Sequence, residues 1–140
     1  MKKAILLLNF FVTTCLFGQS FDKQFMFNSA ENATEQAFAG ISLSNGNYLI
    51  GANNYILCLN ANGDSLWNKK YVVDNIEKFF RDPNGNLMVA AKKGRIIVMQ
   101  VNESNGDSVT TFTPPGQVAT FNYNFYDIVV NAAGKYFLSY

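Results

Sequence analysis

The chain has 140 residues, 49% of them apolar and 15% charged, with a formal net charge of +1. That leaves room for one domain and excludes a disordered chain of low hydrophobicity. It gives neither a basic field for nucleic acid nor an acidic field for a cationic partner. No histidine is present and the only cysteines are Cys15 and Cys58. This excludes Ser-His and Cys-His nucleophile pairs, His-ligated zinc and four-thiolate metal sites.

The chain opens "MKKAILLLNFFVTTCLFGQS". Lys2 and Lys3 precede an apolar run from Ala4 to about Phe17, and Gly18 and Ser20 then satisfy a small-x-small cleavage rule. This is the layout of a secretory signal peptide, here residues 1–19, followed by a lead-in segment over 20–34. Its apolar run is shorter than the ~20 residues a membrane span requires, and no later segment is apolar enough to cross. Removing it leaves nine basic against ten acidic residues. The ending "FGQS" is similar to signal peptides of Bacteroidetes bacteria. The expected location is secreted or cell-surface. An outer-membrane lipoprotein through Cys15 is the alternative, because "VTTC" loosely resembles a lipobox, with Thr14 where Gly, Ala or Ser is expected.

From residue 35 onward the chain breaks into short runs rich in Ile, Leu, Val, Phe and Tyr, divided by turn residues. The spacing predicts strands over about 35–44, 47–52, 54–60 and 64–71, then over about 74–82, 86–91, 94–102 and 107–113. A third set begins near Phe121 and supplies about two strands. Ile41 and Leu43 alternate, as do Phe121, Tyr123 and Phe125. The turns carry Asn-Gly or Asp-Pro-Asn-Gly, residue types that tolerate positive φ. No window shows sustained helical periodicity.

The runs repeat. "SNGNYLIGA" (44–52) matches "PNGNLMVAA" (83–91) and "AAGKYFLSY" (132–140), which places Gly46, Gly85 and Gly134 at equivalent positions. "YILCLNANGDSLW" (55–67) matches "RIIVMQVNESNGDSVT" (95–110), pairing Gly63 and Asp64 with Gly106 and Asp107. Four antiparallel strands in a repeat of about 40–50 residues are the signature of a β-propeller blade. The expected fold is all-β, with antiparallel four-stranded propeller-type blades over about 35–73 and 74–120 and a partial one over 121–140. A closed propeller takes about four to eight blades. About two and a half are present, so the expected propeller is incomplete, the N-terminal part of a longer protein with an exposed edge that associates.

The string "NGNYLIGANNYILCLNANGDSLWNKKY" (45–71) resembles the quinoprotein-like (PQQ-like) β-propeller repeats common in secreted Bacteroidetes proteins. There an aliphatic strand ends in a Leu-Asn-like pair, here Leu59 and Asn60. A Gly-Asp turn follows, here Gly63 and Asp64, and then a strand with Trp near its start, here Trp67. The resemblance implies that this Trp docks one blade on its neighbour, and that such proteins often continue to a C-terminal secretion-sorting domain. The second copy has Thr110 in place of Trp67, which puts regular docking in doubt there. Many members of the family bind no quinone, so no cofactor is implied.

No catalytic set stands out. "NANGD" (60–64), "DPNGN" (82–86) and "NGD" (105–107) space oxygen ligands at alternate positions, as calcium loops do. They lack the Gly at the sixth position and the Glu at the twelfth of an EF-hand, and so read as hairpin turns. Cys58 reads as a buried strand residue, "KKGR" (92–95) as a solvated hairpin tip, and Phe121, Tyr123 and Phe125 as a packed face. Carboxylates are scattered, several of them in turns where they serve local hydrogen bonds. The expected function is a non-catalytic scaffold or binding module for a protein or glycan ligand, with no cofactor. An enzyme or quinone-binding propeller whose active site lies in further blades is the alternative.

Overall fold

The computed structural model describes residues 36–115 and 127–139, and these form ten strands in three antiparallel sheets. Sheet one is β1 (Ala37–Ser42), β2 (Tyr48–Ala52), β3 (Tyr55–Leu59) and β4 (Ser65–Lys70), in that order. Sheet two repeats the order with β5 (Asn75–Arg81), β6 (Leu87–Lys93), β7 (Arg95–Val101) and β8 (Ser108–Phe112). Sheet three pairs β9 (Asp127–Val130) with β10 (Tyr136–Ser139). The eight strands expected up to residue 113 are all present, each slightly shorter than its expected run except β6, which continues two residues further, to Lys93. The signal peptide, the lead-in segment, Cys15 and the row Phe121, Tyr123 and Phe125 lie outside the described residues. Among the described residues no helix is long and apolar enough to cross a membrane.

The hairpin turns share one plan. The amide of a residue at position i bonds to the carbonyl of i+4, and the glycine at i+3 donates to the carbonyl of i. This holds for Leu43–Asn47, Asn60–Asp64, Asp82–Asn86 and Asn131–Lys135. The glycines at i+3, Gly46, Gly63, Gly85 and Gly134, all have φ between 74° and 84°, a region that a Cβ disfavours. Where position i is Asn or Asp, its side-chain oxygen accepts the amides of i+2 and i+4 at 2.8–3.0 Å. Position i of the first turn is Leu43, which has no such oxygen, and there Asn45 accepts the amide of Asn47 instead. The β7–β8 turn, Asn102 to Asp107, is one residue longer.

Alternation along the strands gives each sheet two faces. Between sheets one and two lies a core that includes Leu49, Ile56 and Cys58 on one side and Ile76, Phe79, Val89 and Met99 on the other. Between sheets two and three lies a second core of Met88, Ala90, Ile96, Val98 and Ile128, flanked by Phe80, Phe112, Tyr136 and Leu138. Cys58 is a buried free thiol, as expected, and burial pushes its pKa up. β1 and β2 approach β5 closely. Gly51 makes this possible, because a Cβ there would overlap Ile76 and press on Phe79.

Two of the repeat glycines predict different responses to the same substitution. Gly46 has open space around its missing Cβ, whereas a Cβ on Gly106 would stand 2.7 Å from the Trp67 ring. Gly46→Ala therefore carries only the left-handed backbone penalty, about 1–2 kcal/mol. Gly106→Ala adds an overpacking cost of about 1–3 kcal/mol. Urea unfolding of both variants should place Gly106→Ala clearly below Gly46→Ala; equal stabilities would contradict the packing described.

Candidate functional site

The chain passes from the last strand of sheet one to the first strand of sheet two through "YVVD", residues 71–74. Side chains alternate here as they do in a strand: Tyr71 and Val73 are buried, Val72 and Asp74 exposed. The backbone is tied to both sheets. Tyr71 N donates to Asn54 O (2.8 Å) and Ile76 N to Asn53 O (2.6 Å), both in the β2–β3 turn of sheet one. Asp74 N donates to Lys92 O (2.7 Å), and Asp74 Oδ2 accepts Gly94 N (3.0 Å), both in the β6–β7 hairpin of sheet two. Asn53 has φ of 47°, a left-handed conformation that Asn tolerates.

A cleft of about 450 Å³ opens along this crossing, lined by Asn54, Lys70, Tyr71, Val72, Val73, Asp74 and Lys93. Its lining is more apolar than polar and includes two lysines and one carboxylate. Lys70 Nζ stands 5.4 Å from the centre of the Tyr55 ring, within cation–π range. Lys93 belongs to the "KKGR" tip, which therefore borders a cleft rather than only bulk solvent. The crossing itself was read from the sequence as the boundary between two repeats, with no site assigned to it.

On the other side of Tyr71 the seam between the sheets is closed by a specific dock. Trp67 Nε1 donates to the carbonyl of Glu103 (3.2 Å), and its ring lies against Gly106. The Tyr71 hydroxyl donates to the carbonyl of Gly106, and Lys69 pairs with Asp107. Arg81 holds the same turn through Glu103 and also donates to the Gly85 carbonyl of its own β5–β6 hairpin (2.9 Å). Trp67, Gly106 and Asp107 are thus brought together across the seam. Gly46, Gly85 and Gly134 lie in three separate hairpins, and Gly63 and Asp64 share a fourth. Thr110 is exposed. The junction with sheet three uses Phe112 instead, two residues on, whose ring meets Tyr136 edge-on at 5.2 Å, with Phe80 at 6.3 Å from the same ring.

The acidic turns are occupied by their own backbone. Asp82 Oδ1 accepts the amides of Asn84 and Asn86, and Oδ2 accepts the Asn86 side chain at 2.8 Å. The Asn86 side chain, with these amides, holds the Asp82 carboxyl below its usual range. Asp107 and Asp127 are lowered chiefly by Lys69 and Lys78 respectively. Burial, with Asp107 nearby, pushes the Tyr71 hydroxyl up to about 12.

Tyr71 gives a pH-dependent prediction. Its folded pKa lies above the unfolded value of about 10, so its contribution is complete below that pH and is lost as pH rises toward about 12. Tyr71→Phe should cost about 1–2 kcal/mol at neutral pH, because the Gly106 carbonyl loses its donor. It should also flatten the loss of stability between these two values. Urea midpoints across the alkaline range test this; parallel curves for the variant and the parent would refute it.

No family model matches the chain, and no curated protein matches it. Among solved structures it is similar to a protein of unknown function from Bacteroides caccae, at 18% sequence identity and a TM-score of 0.55. The match covers 74% of this chain and 38% of that one, so this chain spans well under half the length of its structural neighbour. At that identity the likeness shows the all-β fold alone.

Proposed function

We propose that the chain is an exported, non-catalytic repeat module whose antiparallel sheets are propeller-type blades of the quinoprotein-like kind, and that it binds a protein or glycan ligand at the seam between blades. One observation carries this reading. The polar side chains of the turns and seams are committed to structure, as in Asp82, Asp107 and Asp127, whereas the β4–β5 crossing presents an apolar side chain to solvent. Val72 stands almost fully exposed between Lys70, Asn54 and Lys93. A mostly apolar lining with a few polar groups is the usual make-up of a recognition site. Support for the blades comes from the strand order, which runs in sequence in both four-stranded sheets, and from their face-to-face stacking. Export rests on the basic, apolar and small-residue layout of residues 1–19.

Two measurements check the reading. Mass spectrometry of chain recovered from the culture supernatant should find residues 1–19 removed; an intact Met1, or a lipid on Cys15, would remove its export half. For binding, the ¹⁵N-labelled chain is titrated with neutral oligosaccharides and with acidic peptides. The expected result is amide shifts confined to Val72, Asp74 and Gly94, weakened about tenfold by Val72→Asp, as for loss of a single apolar anchor. Shifts centred elsewhere, or none with either class, would overturn the assignment of this cleft.

A further inference from the structure

Alternation through the β4–β5 crossing leaves Lys70, Val72 and Asp74 exposed and Tyr71 and Val73 buried. Residues two apart in an extended run stand about 6.6 Å apart, so the exposed three form a row: a cation, an apolar group and a carboxylate. The two charges of the row are met differently. Asp74 Oδ2 accepts Gly94 N at 3.0 Å and Asp74 N donates to Lys92 O, which brings the tip with Lys93 to that end. At the other end Lys70 Nζ lies over the Tyr55 ring. Among the described residues the ion pairs use Lys69, Lys78 and Arg81, and no carboxylate pairs with Lys70.

These groups suit a peptide better than a sugar. A sugar ring stacks on an open aromatic face. The only ring that lines the cleft is Tyr71, 7% exposed, and the nearby Tyr55 ring already carries Lys70. What the cleft presents instead is the aliphatic side chain of Val72, 82% exposed. Among the described residues no hydrogen bond uses the amide or the carbonyl of Val72. An extended peptide answers each of these groups: its main chain pairs with that of Val72, an apolar side chain covers the valine, and a carboxylate meets Lys70.

We infer that the cleft recognises an extended segment of another protein in which an acidic and an apolar side chain stand two residues apart. This inference rests on the binding site proposed above and narrows its ligand. The apolar residue lies opposite Val72 and the acid opposite Lys70. Directly opposed side chains of paired extended chains have Cβ atoms about 5 Å apart. Residues two apart share a face and adjacent residues do not, so an acid placed next to the apolar residue points away from Lys70. Asp74 disfavours a second acid opposite itself, as like charges do. The preferred segment therefore carries one acid beyond one side of its apolar residue and is not a uniformly acidic string.

The ¹⁵N-labelled chain titrated with the peptide Ac-Ser-Glu-Thr-Val-Thr-Ser-NH2 tests this. Amide shifts should be confined to Val72, Asp74 and Gly94. Binding should weaken about three- to fivefold when the peptide's Glu becomes Gln, and equally in the isomer Ac-Ser-Thr-Glu-Val-Thr-Ser-NH2, as for loss of one exposed charge pair. Lys70→Gln should weaken the Glu peptide by the same factor and leave the Gln peptide unchanged. N-methylation of the peptide's valine should cost about two- to tenfold, as for loss of one main-chain hydrogen bond. Equal binding of the Glu and Gln peptides, or of the two isomers, overturns the inference while leaving the cleft as the site. An oligosaccharide of alternating glucuronate and N-acetylglucosamine that shifts the same amides at lower concentration also overturns it, and again leaves the site. If neither peptides nor sugar shift these amides, the site falls as well.

Discussion

β6 is buried along five consecutive residues, Leu87 through Ala91, and this constraint organises the rest. Successive side chains of a strand point to opposite faces, so a strand buried throughout needs cover on both sides. Sheet one covers Leu87, Val89 and Ala91, and sheet three covers Met88 and Ala90. An antiparallel sheet more often has one wet face and a clean polar alternation. Sheet two has neither along β6, which makes it an interior layer that is stable only within a stack. The small side chains Ala90 and Ala91 on β6 and the bare backbone of Gly51 on β2 let neighbouring sheets come close without voids, and close packing is what makes the apolar burial effective.

The two seams of the stack are closed by different side chains. At the first, an indole and a phenol from sheet one both address a single turn of sheet two, through the carbonyls of Glu103 and Gly106. At the second, three aromatic rings, Phe80, Phe112 and Tyr136, meet edge to face, a geometry favoured by their quadrupoles. Ion pairs flank both: Lys69 with Asp107 at the first, Lys78 with Asp127 at the second. All four of these groups are more than a third exposed, so each pair is worth about 0–1 kcal/mol. They set the register of neighbouring sheets more than they hold them together. Because the seams differ, sheet one cannot exchange places with sheet three on the two faces of sheet two. The stack has an order as well as a composition.

Much of this was legible in the sequence. The strands announced themselves by apolar runs, and the turns by glycines that the backbone places at positive φ. The hairpin plan explains why Asn or Asp so often stands three residues before the glycine: its side-chain oxygen accepts two amides of the turn. What the repeats concealed is that equal strings do unequal work. Asn-Gly-Asp-Ser at 62–65 closes its own hairpin. The same four residues at 105–108 sit in the longer turn that receives Trp67, Lys69 and Tyr71 from the neighbouring sheet. Thr110, which stands where Trp67 stands in the first copy, is exposed. Phe112, two residues away on β8, meets the Tyr136 ring at the second seam, and nothing in the repeat alignment distinguishes it. The cleft was not legible at all, since it is built from three segments brought together by the crossing, and "YVVD" reads as apolar strand whichever way Val72 points.

That last ambiguity bears on where recognition belongs in a stack of this kind. Within the sheets, backbone groups bond in the ladders and the inward side chains pack in the cores. In the hairpins, polar side chains are consumed by their own turns, as Asp82 and Asn131 show. A crossing between sheets is different. Residues 71–74 are tied down by backbone bonds to two sheets at once, which fixes their course, yet Val72 stands 82% exposed. Rigid backbone with uncommitted side chains is the combination that keeps the entropic cost of binding low. Val72 is the residue in which the two coincide, between lysines from either sheet, so the surface that could differ most between related proteins at least structural cost is the crossing and not the turns.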